Sequence, residues 1–197
     1  MTDKPMLPWD RENPELETEE TTRLKDRHEF SSELEWITYQ SKVFYEGFRD
    51  INAATKILED GLKKYPDQPD LLLGAAECLS RDKSQLKKAL SYCQRGLKKD
   101  PDSDYGHTIK ARIELAQEKP IDAYISAMNA LKINSQNVEA GVYLGTIGFA
   151  IAEAEGNVEE MEYSIENLRI TQRLCPGSKR IERIIAEDEK RLREYKR

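Results

Sequence analysis

Histidine and cysteine are scarce in this sequence of 197 residues, and their scarcity removes several classes of function. The two histidines, His28 and His107, lie in different regions, and neither has a cysteine or carboxylate at metal-ligand spacing with a second histidine. No metal site or cofactor is therefore expected. The three cysteines, Cys78, Cys93 and Cys175, are an odd number without zinc-ligand spacing, so they read as reduced thiols and not as a disulfide framework. Long apolar runs are missing too. The longest, Ala140 to Ala152, falls short of the roughly 20 residues that span a bilayer. After Met1 there is no apolar segment of signal-peptide length, and acids stand where a basic flank would be needed. By elimination the expected location is the cytoplasm, with no membrane insertion. A glycine-rich phosphate loop is absent, and no basic patch is interleaved with aromatics, which argues against nucleic acid as a ligand.

Charge is plentiful but unevenly spread. Residues 1–35 carry eleven acids and five bases, and the remaining residues carry 26 of each, so the first segment supplies the whole formal charge of −6. Residues 177–197 lean the other way, with eight bases and five acids.

What the sequence does contain is repetition. GLKKYP at 61–66 returns as GLKKDP at 96–101. Aligned on the prolines, Ala54, Leu58, Gly61 and Pro66 match Ala89, Cys93, Gly96 and Pro101, at spacings of 4, 3 and 5. A third copy follows at Ala123, Ala127, Ala130 and Ser135, and a fourth at Ser164, Leu168, Thr171 and Pro176. Steps of 4 and 3 hold three residues on one helical face. Small residues at the first and third positions admit a neighbouring helix, and proline ends the unit. Each copy is preceded by a second apolar-periodic segment, including Ile37 and Phe44, then Leu72 and Ala76, then Ala111 and Leu115, then Leu144 and Gly145. A repeated unit of this length signals a solenoid in which each unit buries its apolar face against its neighbours.

These positions resemble the tetratricopeptide repeat family over roughly residues 33–176. The small, large and small residues of the second helices and the pair Leu144–Gly145 carry the resemblance. It implies an all-α, right-handed α-solenoid of about four helix pairs, 33–66, 67–101, 102–135 and 136–176, within an array at 31–176. Departures from the family spacing read as loop insertions: about one residue in each of the first two units and about seven in the fourth, around Glu155–Asn157.

Punctuation supports the helix boundaries. Ser32 with Glu35, and Asn157 with Glu160, read as capping boxes, Asp50 and Ser84 as N-caps, and Pro120 as the first residue of its helix. An array leaves an apolar face open at each end. Residues 177–197 read as a charged capping helix with Ile181, Ile184, Ile185, Leu192 and Tyr195 on one side. Residues 1–30 read as an acidic, proline-containing flexible arm. Within it Met6, Leu7 and Trp9 could form an apolar hook that docks on the protein's own groove or on a partner.

No catalytic constellation emerges. Cys78 or Cys93 could only be paired with His107, and Cys93 occupies the large core position of its repeat, where a thiol packs as a small apolar group. The expectation is a protein that is not an enzyme. In the resembled family the first helices line a concave groove that holds a partner segment. Carried over, the groove positions are Thr38, Lys42 and Tyr45, then Leu73 and Glu77, then Tyr105, Thr108 and Arg112, then Val142, Thr146 and Phe149. A third to a half of them are expected to be ordinary packing residues. The set suits a protein partner presenting an extended or helical peptide. The family members that grip acidic chaperone tails use lysine and asparagine, then asparagine, then lysine and arginine, where this chain has Thr38 and Lys42, then Gly74, then Tyr105 with no matching lysine–arginine pair, so that subtype is disfavoured. The expected function is a cytosolic adaptor or scaffold; the alternative is a bacterial secretion or assembly chaperone that shields apolar segments of a client.

Overall fold

The computed structural model describes residues 27–197. The Met6, Leu7 and Trp9 hook and most of the expected N-terminal arm therefore lie outside the described residues. Among the described residues the regular structure is helical and consecutive helices pack against one another.

Helix α1 (Glu33–Lys42) begins at Ser32, whose Oγ accepts from the Glu35 amide at 3.1 Å. The return half of the capping box is shifted by one residue: the Glu35 carboxylate accepts from the Ser31 amide at 3.0 Å. Val43–Gly47 continues the helix as a π-turn, and Arg49 follows with a φ of 55°. A wider turn of this kind absorbs an extra residue without breaking the element. Asp50 caps α2 (Ile51–Lys64), accepting from the Ala53 amide.

The second unit pairs α3 (Pro69–Leu79) with α4 (Leu86–Lys99). Between them Ser84 does not act as a cap. Asp82 does, accepting from the Ser84 amide at 2.8 Å at the start of a 3₁₀ turn. The third unit pairs α5 (Asp104–Ala116) with α6 (Pro120–Ile133), where Pro120 occupies the first turn. The fourth pairs α7 (Val138–Glu155) with α8 (Val158–Leu174), capped by Asn157 through the Glu160 amide.

The fourth unit corrects the expectation of a long loop. α7 has 18 residues and α8 has 17, against 14 or fewer in the earlier pairs, so most of the extra residues are helical. The apolar run stays in the helix as far as Gly156, which takes a φ of 71° and ends it. α9 (Lys179–Tyr195) closes the chain, packing on α8 and α7.

Packing explains why the second helices repeat small residues. A Cβ at Gly96 would sit 2.7 Å from Leu73 Cδ2, and one at Gly61 would sit 2.9 Å from Ile37 Cγ2. Those separations are too short for any side chain, so helices close to a distance that only glycine permits. Four apolar clusters run along the array. The last joins Val142, Phe149, Met161, Ile165 and Leu168 to Ile181, Ile185 and Leu192 of α9, so α9 covers an apolar face that α7 and α8 leave open. First helices of successive units also touch, α3 against α5 and α5 against α7, which puts them on the inside of the curve.

Candidate functional site

The inner wall is built on side chains that α1, α3, α5 and α7 project toward one another. The carboxylate of Glu77, near the end of α3, is the hub. Tyr45 in the π-turn donates its hydroxyl to Glu77 Oε1 at 3.0 Å. Tyr105 from the first turn of α5 donates to Glu77 Oε2. Arg112, two turns further along the same face of α5, places Nη1 3.3 Å from Glu77 Oε1. Its Nη2 lies 2.6 Å from Glu139 Oε1 on α7, and its Nε donates to the Tyr143 hydroxyl at 3.2 Å. On the far side Arg81 donates through Nε to the Tyr45 hydroxyl at 2.8 Å, with its guanidinium 4.9 Å from the ring centroid. One hydrogen-bonded chain thus crosses all four units.

Burial sets its electrostatics. Arg112 is 7% exposed. Desolvation works against its charge, but Glu139, Tyr143 and Glu77 outweigh that and hold the guanidinium protonated above its ordinary value. Burial raises the carboxyl of Glu139, and Arg112 partly offsets this. The phenols of Tyr45 and Tyr105 are both pushed upward, first by burial and then by the neighbouring Glu77 charge. Both hydroxyls stay protonated and act as donors to Glu77. A second, smaller set sits beside it: Asn137 Nδ2 donates to Asp104 Oδ2 at 2.8 Å and to Thr108 Oγ1 at 3.1 Å, tying α5 to the start of α7.

Of the residues carried over from the sequence, Tyr45, Glu77, Tyr105 and Arg112 meet in the one network. Thr38, Lys42 and Thr146 are exposed, with Lys42 facing Glu46 at 3.9 Å. Leu73, Val142 and Phe149 are core residues. Leu73 lies under Gly96 and Gly106, Val142 belongs to the C-terminal cluster, and Phe149 lies in that cluster with the Arg191 guanidinium 4.9 Å above its ring. Thr108 is buried and bonded to Asn137, so it too is packing. Arg81, Glu139 and Tyr143 complete the network but were not among the sequence candidates. Glu139, the last acid before the apolar run 140–152, was the one available signal.

Cys93 is fully buried with Sγ 3.4 Å from the Gly106 carbonyl, and burial pushes its thiol and that of Cys78 up to about 12. Both are therefore protonated packing groups, without the thiolate a nucleophile needs. His107 has Nε2 3.1 Å from the Pro101 carbonyl. Among the described residues no helix is long and apolar enough to cross a membrane.

The tetratricopeptide-repeat family model matches residues 47–113, which span α2 to most of α5. Two solved structures, each titled as a crystal structure of MamA, share the fold. One is 19% identical with a TM-score of 0.59, covering 77% of this chain and 85% of that one. The other is 17% identical with the same TM-score, covering 81% and 87%. No curated protein matches the sequence. The four helix pairs share the fold of these structures, and residues 47–113 are matched as tetratricopeptide repeat.

Proposed function

We propose that this protein, a protein-interaction scaffold by family, holds an extended peptide segment of its partner along the inner wall. The observation that carries this reading is the hydrogen-bonding row contributed by every unit, Tyr45, Glu77, Tyr105, Arg112 and Glu139, bordered by exposed Thr38, Lys42 and Thr146. A row of fixed donors and acceptors suits a segment that presents backbone and polar groups at regular intervals. Arg112 is already claimed by two carboxylates, so an acidic tail gains little there. A client-shielding chaperone has less support, because its apolar client would need an apolar wall.

The test begins with a partner captured by the full chain and a segment of it that binds in isolation. Thr38→Arg and Thr146→Arg change exposed wall positions, and Lys87→Glu changes an exposed position on α4 as a control. The wall variants are expected to weaken binding by about tenfold or more and the control not at all. Binding that survives both wall variants unchanged would overturn the groove assignment.

A further inference from the structure

Polar groups line the inside of the curve, and the outside carries apolar ones. On α8 the side chains of Tyr163, Ile170 and Leu174 are 58%, 46% and 42% exposed. The core face of this helix is Met161, Ser164, Ile165, Leu168 and Thr171. At 100° per residue the exposed row lies on the opposite side. Its neighbour α6 adds Ile121 and Ile125, both exposed, and Tyr124 of α6 and Ser164 of α8 approach the same point beside Gly148. Contiguous apolar surface of this kind on a folded domain marks an interaction site.

The charges beside the row specify the occupant. The first half of α8 carries Glu159, Glu160, Glu162 and Glu166, and the second half carries Arg169 and Arg173. A helix polarised in this way is complementary to itself when reversed. We propose that α8 pairs antiparallel with α8 of a second copy of this chain, about a two-fold axis at Glu166–Asn167. In that register Tyr163 meets Ile170 of the other copy and Glu159, on the same flank of the row as Arg173, meets Arg173, and the same contacts recur on the other side of the axis, as a closed two-fold interface requires. Parallel pairing would set acids against acids. Arg173 keeps its own contact with Glu166 at 3.2 Å, yet its side chain is 66% exposed and free to reach across. The inner walls face away from this interface, so a pair presents two of them.

Sedimentation velocity on the full chain, from about 1 µM to about 100 µM, reads the association directly. The wild type is expected to form dimers in this range. Ile170→Glu and Tyr163→Glu should each weaken association by about tenfold or more, with helical circular dichroism unchanged because both side chains are on the surface. Glu159→Arg and Arg173→Glu should each weaken it several-fold, and the two changes combined in one chain should restore it, an outcome only self-pairing in this orientation produces. A wild type that stays monomeric at the highest concentration overturns the proposal. So does a dimer indifferent to Ile170→Glu and Tyr163→Glu, or a double reversal no better than its single changes.

Discussion

Asp188 shows how one side chain can work against the helix that carries it. It occupies the buried stripe of α9 between Ile185 and Leu192 and is 5% exposed. One carboxylate oxygen lies 3.3 Å from Arg191, and the other has no hydrogen-bond partner. Burial pushes its carboxyl up to about 6 from an ordinary 3.8; Arg191 opposes this, while Glu187 on α9 and Glu153 on α7 add to it. A folded-state value above the unfolded one means that the native protein binds the proton more tightly. The contribution of Asp188 to stability therefore grows as pH falls from about 6 toward 4 and is missing above that window. Asp188→Asn is expected to raise stability at neutral pH by roughly 1 kcal/mol, since an amide stays neutral in the same place. Thermal melts of both proteins at neutral and at mildly acidic pH check this. The gap should close on acidification, and an equal gap at both values would mean that the buried charge is not its cause.

At the scale of the element, α9 acts as a lid on the last unit. Removing residues 177–197 uncovers Val142, Phe149 and Ile165 and deletes the contacts of Arg191 with Glu153 and with the Phe149 ring. Each large side chain returned to water costs about 1.5–3 kcal/mol. The truncated chain is expected to lose protection from hydrogen exchange in α7 and α8 while α2 to α4 keep theirs, because units in such arrays depend chiefly on their neighbours. Equal loss everywhere would show a single cooperative block instead. The elements themselves were legible in the sequence wherever one face differed from another. The amphipathic second helices stood out through Gly61, Gly96 and the residues around them, and α9 through its isoleucines. The candidate wall was legible only where the first helices carry polar residues. α3 buries Leu71, Leu72 and Leu73 in succession, and α7 is apolar almost all round, so periodicity could not separate wall from core at Leu73, Val142 or Phe149. Arg81 and Tyr143 escaped notice for a different reason: their role depends on partners 31 to 36 residues away.

At the scale of the whole molecule, Glu77, Arg112 and Glu139 join three units through one buried cation. Taking Arg112 away leaves two carboxylates facing each other in a poorly solvated place. Arg112→Ala is expected to cost about 3–5 kcal/mol, measured by urea unfolding. Arg112→Met combined with Glu77→Gln and Glu139→Gln should recover most of it, because no unmatched charge remains. Failure of the triple variant to recover would mean that the geometry of the links, and not the burial of charge, sustains the array. The links also have a mechanical meaning. They bridge successive units on the inner side, where the first helices also touch one another. A rod tied along one edge opposes straightening through its ties and opposes tighter bending through side chains already in contact. Its curvature is therefore preset, and because the ties are buried, ionic strength has little purchase on it. A segment bound as proposed would meet a wall whose shape is set before it arrives.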